Sequence, residues 1–138
     1  ALLEPTRIYV QPIMEMLDKE IDLKAMVHIT SGGFCNLNRV ACDGIRFVID
    51  RLQPVPEIFN LIQDRGGVSE AEMFEVFNMG TGFCLVVEGI KEVEAISEIC
   101  KAYDLPCQVI GQIEASQDKE VCLPTKQLTG KGSKFKVS

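Results

Sequence analysis

The sequence has few of the residues on which several common kinds of site depend. It contains a single histidine, and no two of its six cysteines are separated by two residues. Zinc sites need several clustered ligands, and dithiol redox centres usually have that two-residue spacing. The sequence therefore argues against a metal site and against a dithiol redox centre in this chain.

Positive charge and long apolar runs are also scarce. The chain has 14 Lys and Arg residues against 20 Asp and Glu residues, which gives a net charge of −6. Nucleic acids and anionic membrane surfaces both attract basic patches, so this balance argues against either as a partner. No apolar run reaches the roughly 20 residues that cross a bilayer, and no signal-peptide pattern is recognisable.

The cysteines lie mostly among apolar neighbours. Cys84 stands between Phe83 and Leu85, for example, where a thiol behaves as a small apolar group. A chain of 138 residues with 46% hydrophobic composition can build a core without disulfides. We therefore predict reduced, mostly buried cysteines and a cytoplasmic location.

Hydrophobic spacing predicts helices and strands in alternation. Predicted helices cover residues 11–23, 36–42, 54–67, 70–77 and about 90–103, and predicted strands cover residues 27–29, 45–50, 83–87, 107–115 and 120–124. Ser69, followed three residues later by Glu72, is typical of a helix N-cap. This order predicts an α+β (α/β layers) fold with a mixed β-sheet covered by helices. We expect residues 1–138 to form a single domain with a loosely held tail at 126–138.

Two glycine-containing turns could carry chemistry. The first, "HITSGGF" at residues 28–34, follows a predicted strand, and the second, "FNMGTGF" at residues 77–83, precedes one. Glycine permits positive φ and lets backbone N–H groups approach an anion without a Cβ in the way. The hydroxyls of Thr30 and Ser31 could complete a phosphate shell, and Asn78, Gly80 and Thr81 could do similar work.

Simpler interpretations of both turns stay open. A Gly-Gly pair after a strand is common in ordinary turns, and this one lacks the lysine of a nucleotide-binding P-loop. The lone His28 could be a hydrogen-bonded structural residue, and Asn78 could only cap its turn. The residues alone therefore indicate a candidate anion site and no particular reaction.

Four segments in a fixed order resemble one family. They are "LLEPTRIYV" at 2–10, "HITSGGF" at 28–34, "PEIFNLIQDRGGVSEAEMFEVFNMGTGF" at 56–83 and "VIGQI" at 109–113. Together they resemble the C-terminal domain of aminoimidazole ribonucleotide synthetase, also called phosphoribosylformylglycinamidine cyclo-ligase. The resemblance spans nearly the whole chain. In that family the first segment lies mid-chain, after an N-terminal ATP-binding domain that this sequence does not contain.

The resemblance implies a ligase of de novo purine biosynthesis. ATP phosphorylates the amide oxygen of formylglycinamidine ribonucleotide, the amidine nitrogen attacks, and phosphate leaves as the imidazole ring closes. The resemblance also implies that ATP and Mg²⁺ are held mainly by the absent N-terminal domain and that the full-length protein is a homodimer. This domain would supply the other wall of the cleft for a small phosphorylated substrate, and we expect the isolated fragment to be inactive.

Site residues follow from the same resemblance. His28 is implied to be catalytic, orienting or protonating the reacting amide. The residues implied to bind substrate are Thr30, Ser31, Gly32, Gly33, Asn78, Gly80 and Gly82, and no metal ligand is implied. Ser31 departs from the family, which usually has a third glycine there, and Asn38 stands where proline is frequent. The departure at Ser31 leaves the exact substrate open.

Two other functions stay open. One is another ATP-dependent member of the same superfamily. The other is a stand-alone, non-catalytic domain that binds a nucleotide or a phosphorylated metabolite.

Overall fold

The computed structural model describes residues 5–137, which divide between two compact units. Of the described residues, the first unit consists of 5–26 and 85–109, and the second of 27–84 and 110–137. The boundaries between the units fall within two strands, β1 (Leu23–His28) and β3 (Phe83–Val87), which pair as a two-stranded sheet. The expectation that residues 1–138 form a single domain stays a prediction.

The first unit is built on two helices, α1 (Val10–Asp18) and α4 (Ile90–Ala102). Apolar residues at helical spacing bury one side of each helix, as the sequence predicts. Met16 of α1 belongs to one buried cluster with three residues of α4, namely Ile96, Ile99 and Cys100. The helix predicted at about 90–103 is thus confirmed.

Helix α1 ends five residues earlier than predicted. The Glu20 N–H donates to the Leu17 carbonyl, and the Ile21 N–H donates to the Met16 carbonyl. These two bonds, with φ 54° at Glu20, form a Schellman motif that terminates the helix. Glycine usually occupies the left-handed position of this motif, so the sequence carries no obvious stop signal there. The chain then enters β1 at Leu23, four residues before the predicted strand.

The second unit contains a five-stranded sheet in the order β4-β2-β5-β6-β7. Its strands are β2 (Ile45–Ile49), β4 (Gly111–Ala115), β5 (Glu120–Leu123), β6 (Leu128–Lys131) and β7 (Lys134–Val137). Strands β2 and β5 pair in parallel, and the other neighbours are antiparallel. The mixed sheet and the helices confirm the predicted α+β class.

Helices α2 (Glu57–Gly66) and α3 (Glu70–Val76) also belong to the second unit. Gly67, with φ 59°, is the C-cap that ends α2. The Ser69 side chain accepts a hydrogen bond from the Glu72 N–H at 3.3 Å, which confirms the predicted N-cap. Phe74 of α3 is buried against Phe34, with 5.7 Å between the ring centroids.

The segment predicted as a helix at 36–42 is instead a 3₁₀ helix at Gly33–Arg39. It is short and contains Asn36 and Asn38, residues with low intrinsic helix propensity. Both asparagine side chains bond to backbone carbonyls outside the helix. Tertiary contacts, rather than helix propensity, therefore determine this segment.

The C-terminal segment also differs from expectation. Most of residues 126–138, expected to be a loosely held tail, form the antiparallel pair β6–β7. Leu128 and Phe135 are buried, and the Glu75 carboxylate accepts the Phe135 N–H at 2.6 Å. The alternating sequence from Lys134 to Val137 is typical of a strand with one buried face.

Candidate functional site

The two glycine motifs lie side by side in the second unit. The Ile29 N–H donates to the Gly82 carbonyl at 2.9 Å, where β1 ends and β3 begins. The neighbouring rings of His28 and Phe83 have centroids 5.8 Å apart and are tilted by 38°. The structure thus brings together two segments that are about fifty residues apart in the sequence. The two motifs that contain the predicted site residues therefore meet at Ile29 and Gly82.

The first glycine turn is a four-residue turn from Thr30 to Gly33. It is closed by the Gly33 N–H, which donates to the Thr30 carbonyl at 2.9 Å. Gly32 has φ 99° and ψ −2°, values that place it at the third position of a type II turn. Ser31 does not adopt a positive φ, so its backbone does not require the third glycine that is usual in the resembling family. The serine hydroxyl is therefore added to this turn without backbone strain.

Gly33 packs directly against the end of α3. A Cβ on Gly33 would lie 1.9 Å from the Phe74 carbonyl oxygen and 2.9 Å from that of Phe77, at a backbone φ of 50°. Only glycine fits so close an approach. Because the Gly33 N–H is already donated within the turn, it is not available to bind an anion in this conformation.

The second glycine turn is closed by its own asparagine. Asn78 Oδ1 accepts from the Gly80 N–H at 3.0 Å, and the Asn78 carbonyl accepts from the Thr81 N–H at 2.8 Å. The two central residues, Met79 and Gly80, both have positive φ, as in a type I′ turn. Asn78 thus has the turn-capping role that the sequence left open.

Two of the four residues of the second turn face inward. Met79 and Thr81 are buried, and a Cβ on Gly80 would lie 2.6 Å from Cδ of Pro56. The Gly82 carbonyl is the acceptor of the Ile29 N–H. In contrast, His28, Thr30 and Ser31 on the first motif are exposed. The polar side chains accessible to a ligand therefore come mainly from the first motif.

Asn36 belongs to this site, and our reading of the sequence missed it. It is 1% exposed, and its Nδ2 donates to the carbonyls of Thr30 and Ser31, each at 3.4 Å. Its Oδ1 is buried and has no hydrogen-bond partner among the described residues. The available signal was a polar residue inside the otherwise apolar run "GFCNL" at residues 33–37.

The buried cysteines beside the glycine motifs, Cys35 and Cys84, are poor candidates for a nucleophile. All six are unpaired, and Cys35, Cys84 and Cys100 are buried. Burial raises the pKa of the Cys84 thiol to about 12 and that of Cys35 to about 11. Thiols with such pKa values are protonated and unreactive near neutral pH, as expected for core residues.

The described residues contain neither a cluster of metal ligands nor a membrane-spanning helix. Within residues 5–137, no group of three or more His, Cys, Asp or Glu side chains could hold a metal ion. Over the same range, no helix is both long and apolar enough to cross a membrane.

A concavity of about 280 Å³ in the first unit is lined by Ser97, Lys101, Asp104, Leu105, Pro106 and Cys107, none of which is a predicted site residue.

Comparison with known proteins identifies the family of this chain. Residues 1–123 match the family model described as AIR synthase related protein, C-terminal domain. The chain therefore belongs to this family.

Three similar curated proteins carry the same enzyme name. The phosphoribosylformylglycinamidine cyclo-ligase of Methanococcus maripaludis is 46% identical over 115 residues, which are 83% of this chain and 32% of that protein. The enzyme of the same name from Methanocaldococcus jannaschii is 46% identical over 114 residues (81% and 32%). That from Carboxydothermus hydrogenoformans is 40% identical over 121 residues (87% and 35%). The chain thus spans about a third of the length of the curated relatives it matches.

Proposed function

We propose that this chain is the C-terminal, substrate-cleft part of an ATP-dependent cyclo-ligase that converts formylglycinamidine ribonucleotide to aminoimidazole ribonucleotide. The observation that carries the proposal is the adjacency of the two glycine motifs, joined at Ile29 and Gly82, with His28 exposed beside them. The names of the similar proteins support the same activity.

The proposed reaction needs alignment and charge stabilisation more than covalent help from the protein. Once ATP has phosphorylated the amide oxygen, phosphate is a good leaving group and the amidine nitrogen can close the ring. A protein accelerates such a step by holding the reacting groups in line and by donating hydrogen bonds to developing negative charge. The exposed side chains of the first motif are suited to these tasks.

Each exposed residue of the first motif has a proposed role. His28 orients or protonates the reacting amide. This role is supported by its exposed side chain, whose ring lies beside that of Phe83. The hydroxyls of Thr30 and Ser31 donate to the substrate phosphate. Substrate contacts by Gly32, Asn78, Gly80 and Gly82 also stay predictions. The geometry supports a structural role for Gly33, whose N–H is committed within the turn.

The remaining parts of the active site belong to the N-terminal domain expected outside this chain. We propose that this domain holds ATP and Mg²⁺, and that the complete protein is a cytoplasmic homodimer. Residues 5–137 offer no cluster of metal ligands, so we assign no magnesium-dependent step to them.

Replacement of His28 tests the catalytic part of the proposal. In the complete protein, His28→Ala should lower kcat about 100-fold, a typical loss for a group that transfers a proton. His28→Gln, which retains a hydrogen-bond donor, should retain more activity if His28 orients the amide, and no more if it transfers a proton. Unchanged turnover of His28→Ala at saturating substrate would remove His28 from the chemistry.

A binding measurement tests the domain assignment. Formylglycinamidine ribonucleotide should bind the complete protein in calorimetric titration, and an ATP analogue should strengthen that binding. The isolated chain should not form the ring-closed product from ATP and substrate. Binding without turnover by the complete protein would favour the non-catalytic alternative instead.

A further inference from the structure

Asn36 is held in an arrangement that stability alone does not explain. Its Nδ2 group has two hydrogens, and the two carbonyls it meets, those of Thr30 and Ser31, are both 3.4 Å away. Bonds of this length are weak, whereas burying an amide carbonyl without a partner is unfavourable. An apolar side chain of similar volume would avoid the buried unpaired Oδ1.

The unpaired oxygen also limits what residue 32 can be. A Cβ on Gly32 would lie 3.1 Å from Asn36 Oδ1, closer than most Cβ contacts. The asparagine amide therefore lies against the backbone of the turn on its buried side. The Asn36 amide therefore contacts the turn at the Thr30 and Ser31 carbonyls and next to Gly32.

Peptide geometry connects these contacts to the exposed side of the turn. In a trans peptide the N–H points opposite to the C=O of the same group, and the chain has no cis peptide in its described part. The Thr30 carbonyl shares its peptide group with the Ser31 N–H, and the Ser31 carbonyl shares its group with the Gly32 N–H. With both carbonyls bound to Asn36, these two N–H groups point away from it.

We propose that Asn36 is a positioning residue of the substrate site, which turns the N–H groups of Ser31 and Gly32 toward an anionic oxygen of the substrate. The substrate in this inference rests on the proposed function. Backbone N–H groups of successive residues in a turn are a common means of binding phosphate oxygens. The Gly33 N–H is excluded from this role because it closes the turn.

Asn38 provides a matched control in the same 3₁₀ helix. Its Nδ2 also donates to two backbone carbonyls, those of Gly130 at 3.3 Å and Gly132 at 3.1 Å, and its Oδ1 is also buried without a partner among the described residues. These acceptors lie in the β6–β7 hairpin and not in the candidate site. Asn38→Ala therefore removes similar bonds without releasing the first turn.

The experiment compares Asn36→Ala with Asn38→Ala in the complete protein. Both variants should lower the Tm to a similar extent, but only Asn36→Ala should raise KM for the substrate, by about tenfold, which corresponds to one charge-assisted hydrogen bond lost. Asn36→Asp should behave like Asn36→Ala, because a carboxylate cannot donate to the two carbonyls. It provides a second variant if the alanine variant does not fold.

Amide hydrogen exchange gives a readout that needs no substrate. Asn36→Ala should accelerate exchange of the Gly33 amide, which closes the turn, whereas Asn38→Ala should leave it unchanged. Equal KM values for the two variants, with equal exchange at Gly33, would overturn the positioning role. If the wild-type protein neither binds nor converts the substrate, the proposed function fails, and the exchange pattern then decides whether Asn36 holds the turn.

Discussion

The first glycine turn, residues 30–33, exposes the side chains of Thr30 and Ser31, whereas the second, residues 78–81, buries Thr81 and is closed by Asn78. In the first turn, the absence of a side chain on Gly33 lets the backbone touch the end of α3. In the second, the conformational freedom of glycine allows a type I′ turn that is capped by its own side chain. Two turns of similar composition thus differ in what they present to a ligand. The composition of a segment identifies a turn, but the burial of its side chains decides whether they can contact a ligand.

The largest expected effect comes from Gly33→Ala. The added methyl would overlap the Phe74 carbonyl oxygen, and φ of 50° is unfavourable for alanine, so the free energy of unfolding should fall by about 4 kcal/mol. Urea denaturation measures this change. The same steric argument makes Gly33→Val a test of folding and not of substrate binding.

Gly67→Ala is the matched control for that prediction. Gly67 has φ of 59°, but a Cβ there would meet no atom within 4 Å. Its replacement should therefore cost only the backbone strain, about 1 kcal/mol. Equal losses at the two positions would contradict the close packing of the first turn on α3.

For Gly80→Ala in the second turn, we expect a loss of stability smaller than that for Gly33→Ala. Here φ is 93° and the nearest atom to an added Cβ is Cδ of Pro56 at 2.6 Å, so we expect a loss of about 2 kcal/mol. Because the neighbour is a side chain, the loss should shrink in a Pro56→Ala background, as a double-mutant cycle would measure. Strict additivity of the two replacements would argue against this contact.

Asn78→Ala should lower the free energy of unfolding by about 1 kcal/mol, since it removes the acceptor of the Gly80 N–H. Asn78→Asp retains an acceptor and should lose less. If Asn78 only caps the turn, KM for the substrate should not change in either variant. A raised KM at unchanged stability would instead show that Asn78 also contacts substrate.

The smallest effect on stability is expected for Ser31→Gly. Ser31 is exposed and does not adopt a positive φ, so the change should alter the free energy of unfolding by less than about 1 kcal/mol. Comparison of KM for Ser31→Ala with that of the wild type then isolates the hydroxyl. Equal KM values for both variants and the wild type would exclude a substrate contact by Ser31.

Sequence reasoning succeeded where the signal is local. The Ser69 cap, helix α4 and strand β2 all follow from patterns within a few neighbouring residues, and the structure confirms them. It was wrong about the end of α1 and about the 3₁₀ helix. The positive φ of Glu20, which ends α1, cannot be recognised from the sequence. The 3₁₀ helix depends on hydrogen bonds to carbonyls that are distant in the sequence.

The candidate site shows the same division. The family resemblance identified both glycine motifs, but their adjacency depends on the pairing of β1 with β3. Asn36 was missed because a buried asparagine and an exposed one look alike in a single sequence. Its importance depends on which carbonyls it meets, and no local pattern encodes that.

By itself, the amino-acid sequence determined where this chain can turn, which faces of its helices are apolar, and that it has a single histidine. Those properties depend on the chemistry of neighbouring residues. Only the tertiary structure decided that Gly33 closes a turn instead of presenting its N–H, and that Asn36 lies beneath Thr30 and Ser31. Such contacts join groups that the chain must fold to bring together, so their geometry follows from packing.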